Sequence, residues 1–388
     1  MKILMYKWKA YNHIDVEGHL IMRGHTVDIV EHTIYNVESD PVIEEEIRNR
    51  LSASSYDIFF SINYFPLISD ICEEFSIPYV YWTCDSQITC MYHESIFNSC
   101  NIGFIFDYAD YITFKEMGAN VSYLPLAGAF DRIQYLLSNS DENDLKNYEN
   151  EVSFIGSMYN KNMYDKVRDY LPDYLKGYFD SALIIQQNLY TKNIFSDILT
   201  SDAVYELQKV IAKNPSSRTL SSEALIFSTA VLGFKTAQLE RKSRLTSISK
   251  KCSLSVYTDD TNVQFGLGAN KGEINYWQDA PKVFNRSRIN LNLTIKNIRT
   301  GIPLRIYDIL SSGGFVITNF QTELPMYFKN DEDIVWFSTT EEFEDKVTFY
   351  LKHEDERKKI AARGMQKIKE QHTYMHRFDA MSDAVLGL

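Results

Sequence analysis

Short apolar runs alternate with amphipathic stretches through most of this chain of 388 residues. In the first 130 residues, apolar runs of four to six residues are separated by helical patterns. Buried strands alternating with helices are typical of a parallel sheet covered by helices on both faces. The first block therefore predicts a Rossmann-like α/β domain. Its predicted strands are residues 2–6, 26–31, 57–62, 79–83, 103–106 and 121–124.

The same alternation returns in the second half of the chain and predicts a second Rossmann-like sheet. A polar, acidic stretch over residues 139–150 separates the two blocks and is typical of a domain boundary. We expect an N-terminal domain over residues 1–140 and a C-terminal domain over 151–369, with a helical insertion at about 160–250. The helical tail is long enough for residues 370–388 to return to the first domain. The second set of predicted strands is 152–155, 253–257, 273–276, 289–294, 315–318 and 334–337.

Charge and cysteine content argue against several functional classes. Lys and Arg number 40 against 52 Asp and Glu, and the net charge of -12 repels a phosphate backbone, so we expect no nucleic-acid partner. No run approaches the roughly 20 apolar residues that span a bilayer, and the N-terminus resembles a first strand rather than a secretory signal. Five cysteines without a Cys-x-x-Cys pair favour a reducing cytoplasm.

The most informative segment surrounds a predicted helix over residues 302–311. Thr300 and Gly301 directly precede that helix, where unpaired N–H groups and the positive dipole end attract an anion such as a diphosphate. Asp308 shares a helix face with Arg305 and is placed to accept hydrogen bonds from a ribose. The same strand, loop, helix and glycine pattern also occurs in α/β proteins that bind no nucleotide. Both interpretations stay open on this segment alone.

Several segments in both halves form a recognisable set: residues 77–86, 152–157, 271–294, 300–319, 322–328 and 353–357. Together they resemble the CgeB-like bacterial glycosyltransferases, associated with spore maturation and surface glycosylation, whose C-terminal half belongs to the group-1 glycosyltransferase domain. The resemblance implies a GT-B fold, with two facing Rossmann-like domains, an interdomain cleft and a C-terminal helix that crosses back. It also implies transfer of a hexose or N-acetylhexosamine from a UDP-sugar to a hydroxyl acceptor of a glycan or surface protein.

One position departs from the wider superfamily. Many retaining members have a Glu eight positions before the ribose-binding carboxylate, whereas this chain has Thr300 before Asp308. A retaining mechanism therefore cannot be inherited from the resemblance, and the stereochemistry stays open. A non-catalytic module that binds a sugar nucleotide or a glycan is the alternative function.

The fold class suggests further donor-binding residues. Gly156 and Ser157 end the first strand of the second domain, where a ligand approaches the backbone. Tyr276 is placed to pack on a base, or else to anchor the turn that follows it. No metal is expected, because cations and helix N-termini stabilise a departing diphosphate. Arg305 has the best position to stabilise the diphosphate. Four other cations are alternatives for this role, although each is also compatible with an ordinary surface position: Arg244, Lys271, Lys296 and Arg299.

Three residues of the first domain are candidates for catalysis. Asp85 follows a predicted buried strand and so lies at the carboxyl edge of the sheet. A carboxylate there can deprotonate the acceptor hydroxyl in an inverting transferase, although capping of the following helix is a competing role. His13 and Asp15, after the first strand, are the other candidates for the base or for acceptor contact.

Overall fold

The computed structural model describes residues 1–211, 217–260 and 266–385. These residues form two compact units. Unit 1 comprises, of these, residues 1–126, 217–222 and 374–385, and unit 2 comprises residues 127–211, 223–260 and 266–373. Residues 212–216 of the predicted insertion and 386–388 of the predicted tail lie outside the described residues.

Unit 1 is built on a six-stranded parallel sheet with the order β2-β1-β3-β4-β5-β6. Its central strands are buried; every residue of β3, for example, is buried, as an apolar run covered on both faces requires. The strand order reverses between β1 and β3, because β1 pairs with both β2 and β3. The strands are β1 Lys2–Lys7, β2 Thr26–Glu31, β3 Ile58–Ile62, β4 Tyr79–Trp82, β5 Asn101–Ile105 and β6 Val121–Tyr123.

The helices of unit 1 cover this sheet. The sequence explains both ends of the helix Pro66–Phe75. Pro66 starts the helix, where no backbone N–H is needed, and Ser76 ends it in the left-handed conformation at φ 53°. Its apolar face packs into the core through Leu67, Ile68 and Ile71. The α-helices are His13–Met22, Pro41–Ala53, Pro66–Phe75, Tyr108–Glu116 and Tyr374–Val385.

Unit 2 contains a second six-stranded parallel sheet, with the order β12-β11-β10-β7-β8-β9. Numbered within the unit this is the order 6-5-4-1-2-3, the doubly wound arrangement of Rossmann folds. The order reverses between β7 and β10, which pair directly. The strands are β7 Asn150–Ile155, β8 Leu254–Tyr257, β9 Gly268–Gly272, β10 Ser287–Asn292, β11 Val316–Asn319 and β12 Val335–Phe337.

Helices fill the long connection between β7 and β8 and pack into a core of their own around Phe179, Phe195 and Phe227. A π-helical turn, Phe227–Gly233, leads directly into Phe234–Ile248. The α-helices of unit 2 are Phe130–Ser138, Glu142–Lys146, Met163–Val167, Asp173–Gln186, Phe195–Ile198, Ser201–Val210, Glu223–Ile226, Phe234–Ile248, Ala280–Arg286, Leu304–Ser311, Leu324–Tyr327, Thr340–Lys352 and Glu354–Gln371.

The units divide after Leu126, earlier than the polar stretch at 139–150 suggests. The physical reason is the helix Phe130–Ser138, which packs within unit 2. Arg132 Nη1 donates to the carbonyl of Trp277 at 3.0 Å, and Gln134 Nε2 donates to that of Ser311 at 2.7 Å.

The last helix, Tyr374–Val385, belongs to unit 1. Arg377 Nε donates to the carbonyls of Pro125 and Leu126 at 2.9 and 3.1 Å, and Tyr374 packs on His19 with ring centroids 5.2 Å apart. The expected fold class, α/β with two parallel six-stranded sheets and a C-terminal helix returning to the first, is confirmed.

The predicted strand at 273–276 is wrong. Asn275 forms a turn there, because its Oδ1 accepts hydrogen bonds from the N–H groups of Trp277 and Gln278, both at 3.1 Å. The edge strand β9 lies just before it and has the sequence Gly-Ala-Asn-Lys-Gly, which carries no strand signal.

The described residues contain no helix long and apolar enough to cross a membrane. All five cysteines are free thiols. In the same described ranges, no group of three or more His, Cys, Asp or Glu side chains is arranged to hold a metal ion.

We expect Gly314→Ala to destabilise the protein by about 1 to 3 kcal/mol, through overpacking. Gly314 is buried before β11, and a Cβ there would lie 2.5 Å from the carbonyl oxygen of Phe284 and 2.9 Å from Asn290 Nδ2. Chemical denaturation followed by circular dichroism measures the change.

The matched control is Gly177→Ala, in the helix Asp173–Gln186, where a Cβ meets nothing within 4 Å. Because alanine favours helix, that variant should gain about 0.5 to 1 kcal/mol. Equal stabilities for the two variants would contradict the packing around Gly314.

Candidate functional site

The carboxyl ends of β7 and β10 lie side by side where the order of the second sheet reverses. Ligands of open α/β sheets bind outside the carboxyl ends of the strands at such a point. Gly156 and Ser157 follow β7 directly, and Ser157 is exposed. A Cβ on Gly156 would lie 3.2 Å from Arg305 Nη2 and 3.5 Å from Arg241 Nη1. Glycine thus lets two guanidinium groups approach the backbone at the strand end.

Arg241 links the two strand ends. Its side chain, which comes from the helix Phe234–Ile248, donates through Nη1 to the carbonyl of Ser157 and through Nη2 to that of Leu293 at 2.8 Å. The guanidinium carbon lies 5.3 Å and 4.8 Å from the ring centroids of Phe154 and Tyr159. Burial lowers the pKa of Arg241 to about 10. Its Nε is buried and has no hydrogen-bond partner among the described residues.

Arg305 approaches the same point from the first turn of the helix Leu304–Ser311. Its Nη1 donates to Asn292 Oδ1, at the end of β10, over 3.3 Å. The positive charge of Arg305 also helps to lower the pKa of Arg241, after burial, which is the larger cause. In the described parts of the chain, neither guanidinium is ion-paired with a carboxylate. The carboxylate of Glu240 opposes the lowering of the Arg241 pKa, but it is itself paired with Lys296. Two neighbouring cations without a carboxylate in direct contact form a site that an anion would stabilise.

Arg241 was not predicted as a site residue from the sequence. It lies in a helical region whose pattern carries no signal of a buried charge, and only the folded helix brings it to the sheet. Asn292 was missed as well, although it ends a strand that was predicted.

The alternative cations have other surroundings. Lys296 Nζ is buried 3.3 Å from Glu240 Oε2, and burial lowers the pKa of Lys296 while Glu240 opposes that shift. Arg244 donates to Asn188 Oδ1 at 2.7 Å and to the Tyr190 hydroxyl at 3.3 Å. Lys271 and Arg299 are exposed.

Thr300 and Gly301 lie in the loop before the helix Leu304–Ser311, which begins two residues later than predicted, so that Ile302 and Pro303 separate them from its first turn. The hydroxyl of Thr300 donates to Glu323 Oε1 at 2.7 Å, and the N–H of Glu323 donates to the carbonyl of Thr300 at 3.1 Å. Glu323 is buried, so its carboxylate fixes the loop. No sequence signal tied Glu323 to this loop, because the two segments are 23 residues apart.

Asp308 lies on the same helix as Arg305 and is buried. The hydroxyl of Tyr276 donates to Asp308 Oδ2 at 2.8 Å. The structure therefore brings together two residues that were predicted separately, one for the base and one for the ribose.

In unit 1, Asp85 follows β4 in the chain and Asn63 follows β3. Asn63 Nδ2 donates to Asp85 Oδ2 at 2.8 Å, and its Oδ1 accepts from the N–H of Cys84 at 2.8 Å. Asn63 adopts the left-handed region, at φ 64°, which asparagine tolerates better than most residues. Asp85 is an exposed residue, and desolvation of its carboxyl by the surrounding protein raises its pKa.

His13 begins the helix His13–Met22, and its Nδ1 lies 2.6 Å from the carbonyl of Ala10. Asp15 is buried in the first turn of the same helix, and its backbone carbonyl lies 2.7 Å from His19 Nδ1. His13 shares a cavity with Asn63, the residue that holds Asp85. The carboxylate of Asp15 lies near the N-terminus of its helix, where its negative charge stabilises the helix by interacting with the helix dipole.

Residues 240–383 match the family model described as glycosyl transferase-like. No curated protein sequence matches the chain. Among solved structures, the chain is similar to Anabaena Alr3699/HepE in complex with UDP and glucose, with 9% identity, a TM-score of 0.55 and 100% of both chains covered.

Two further solved structures are similar over nearly their whole length. One is α,α-trehalose 6-phosphate synthase from Burkholderia multivorans, with 9% identity, a TM-score of 0.57, and 100% of this chain and 98% of that chain covered. The other is sucrose-phosphate synthase from Thermosynechococcus elongatus, with 7% identity, a TM-score of 0.54, and 99% and 98% covered. At such identities, the likeness concerns the fold.

The matched region contains Arg241, Arg305 and Asp308. The chain thus has the GT-B fold, and residues 240–383, most of which belong to unit 2, match a glycosyl transferase-like family model. The predicted GT-B fold is confirmed, and the glycosyl transferase-like match agrees with the prediction of a glycosyltransferase.

We expect Asp308→Asn to weaken UDP binding by about 10- to 100-fold, because a charged hydrogen bond to a ribose contributes about 1.5 to 3 kcal/mol. The substitution keeps the shape of the side chain and an oxygen that accepts from Tyr276. Isothermal titration with UDP measures the change. Asp345→Ala, at an exposed position in the same unit, is the control and should bind UDP normally. Unchanged affinity in Asp308→Asn would refute the ribose contact.

Proposed function

We propose that this protein transfers a hexose or an N-acetylhexosamine from a UDP-sugar to a hydroxyl acceptor. The observation that carries the proposal is the pair of cations, Arg241 and Arg305, beside Gly156 at the reversal point of the second sheet. A nucleoside diphosphate is the anion that such a point in a doubly wound sheet suits. Similar structures in complex with UDP or UDP-glucose, and those of sucrose-phosphate and trehalose 6-phosphate synthases, support this donor class.

The cations serve the chemistry as well as binding. When the bond between the sugar and the diphosphate breaks, negative charge develops on the leaving phosphate oxygens. Positive groups that are already in place stabilise that charge without reorganising. Arg241 and Arg305 supply two such groups, and the proposed reaction is therefore metal-independent.

Other residues of unit 2 hold the rest of the donor in this proposal. The carboxylate of Asp308 accepts hydrogen bonds from the ribose, and Tyr276 supports that carboxylate while its ring borders the base. Ser157 offers its hydroxyl, and Thr300 and Gly301 offer backbone groups, to the phosphates or the sugar. The buried bond between Thr300 and Glu323 keeps this loop in position.

Asp85 is the proposed general base of unit 1, with His13 and Asp15 as alternatives. Asp85 is an exposed residue that an acceptor can reach, and its raised pKa makes it a stronger base than an ordinary aspartate. The Asn63 amide holds one carboxylate oxygen and leaves the other for the acceptor hydroxyl. A base of this kind fits an inverting transfer, in which it takes the proton as the hydroxyl attacks the sugar carbon.

The resemblance to the CgeB-like glycosyltransferases adds finer detail to the proposal. It favours a glycan or a surface protein, such as one of a spore, as the acceptor. The cytoplasmic location expected from the cysteines belongs to the same proposal, as does the division into an acceptor domain and a donor domain. The alternative of a non-catalytic sugar-nucleotide module differs in one measurable respect, because such a module would bind the donor without releasing UDP.

We expect Arg305→Ala to weaken UDP binding by about 10- to 100-fold while uridine binding stays within twofold, since only UDP carries the charged phosphates that the guanidinium contacts. Calorimetric titration of both ligands into the same preparations gives the comparison. Arg363→Ala, which removes an exposed arginine of the same unit, should change neither affinity. Equal losses for UDP and uridine would remove Arg305 from the phosphate site.

We expect Asp85→Asn to lower the transfer rate by at least about 100-fold with UDP affinity unchanged, because an amide cannot take the proton. In the unaltered protein, the rate should rise with pH through a midpoint above 3.8, the ordinary aspartate pKa. The Asn63 hydrogen bond favours the ionised carboxylate, so its loss should raise the pKa of Asp85 further.

Asn63→Gly tests that dependence and suits the left-handed backbone of the position. Its pH profile should move to higher pH, whereas a residue with a merely structural role would lower the rate without moving the profile. Full transfer activity in Asp85→Asn would exclude Asp85 as the base.

A further inference from the structure

A cavity of about 750 Å³ opens in unit 1 at the carboxyl ends of β1, β2 and β3. These strands meet where the order of the first sheet reverses, so the cavity occupies the position at which open α/β sheets bind ligands. Its volume lies within the range of small-molecule sites. Of the residues that line it, only His13 was predicted from the sequence as a candidate site residue.

Aromatic side chains held in fixed orientations form one side of the cavity. Trp8 Nε1 donates to the carbonyl of Ile62 at 2.7 Å, and this bond sets the rotation of the half-buried indole ring. Phe65 packs edge-on against Tyr6, with ring centroids 5.0 Å apart. Rigid rings of this kind lose little entropy when a ligand packs on them.

The same cavity is bordered by polar side chains that make no hydrogen bond to the described residues. Lys9, His32 and Thr33 all line it, and no described residue hydrogen-bonds to any of their side chains. Lys9 and Thr33 are exposed, and His32 is half-buried. The cavity therefore offers both an apolar platform and unused hydrogen-bonding groups to one ligand.

The cavity also reaches the proposed catalytic base. Asn63 lines it, and the Nδ2 of the same residue donates to Asp85 Oδ2 at 2.8 Å. A ligand in contact with the Asn63 side chain is thus one residue away from the carboxylate that would accept a proton.

We propose that this cavity binds a pyranose ring, so that the acceptor of the proposed transferase is a saccharide. A pyranose has faces of C–H groups that pack on Trp8 or Phe65, and an edge of hydroxyls that suits His32, Thr33 and Lys9. A serine or threonine hydroxyl of a folded protein surface carries no such ring and would leave the aromatic side empty. The role of the saccharide as acceptor rests on the proposed function, whereas binding of a saccharide to the cavity can be measured independently.

The experiment is a titration of the full chain with methyl glucoside, methyl galactoside and methyl N-acetylglucosaminide, followed by saturation-transfer NMR. At least one glycoside should bind, and Trp8→Ala should weaken it by at least tenfold. Trp8→Phe keeps an aromatic platform and should keep most of the affinity, which separates loss of the ring from loss of folding. Tyr108→Ala, which removes another exposed aromatic of unit 1, should bind as the unaltered protein does.

Titration of the same variants with UDP separates this inference from the proposed function. UDP affinity should be equal in Trp8→Ala and the unaltered protein, since the proposed donor site lies in unit 2. Failure of UDP to bind would overturn the transferase and with it the acceptor role, whether or not a glycoside binds. Absence of binding by all three glycosides, or equal binding in Trp8→Ala, would overturn the saccharide site even if UDP binds.

Discussion

The two hydrogen bonds from Arg241 to the carbonyls of Ser157 and Leu293 connect the ends of β7 and β10. A buried cation is costly unless polar groups surround it, and here two carbonyls and two aromatic rings do so. Burial still disfavours the charged form of Arg241, because it lowers the pKa to about 10. Because Arg305 adds a second positive charge beside it, an anion would stabilise the unit at this point more than any neutral ligand.

Both units place their candidate ligand sites by the same rule of topology. Where the strand order reverses, the helices on either side leave in opposite directions and open a crevice at the strand ends. In unit 2 that crevice holds Gly156 and the two guanidinium groups. In unit 1 it holds the aromatic cavity and Asn63, which supports Asp85. A cationic site suits a donor with a charged leaving group, and an aromatic site suits a neutral ring.

Sequence patterns predicted the two sheets because buried strands such as β3 are continuous apolar runs. They failed at β9, whose glycines and polar residues form an edge strand through backbone pairing alone. Asp308 and Arg305 were predicted from their spacing on one helix. The bond between Tyr276 and Asp308, and the approach of Arg241 to Ser157, join residues 32 and 84 positions apart. Such contacts depend on how helices pack on the sheet, which local pattern does not encode.

The most direct test of the account is the release of UDP from UDP-glucose, UDP-galactose and UDP-N-acetylglucosamine by the purified chain, measured with and without a saccharide acceptor. A UDP-sugar transferase should release UDP slowly from one donor alone and much faster when the acceptor is added. A variant that lacks both Arg241 and Arg305 should lose both rates. UDP-sugar binding with no release under any condition would indicate a sugar-nucleotide module instead. No binding of any of the three donors would contradict the assignment of the cationic site.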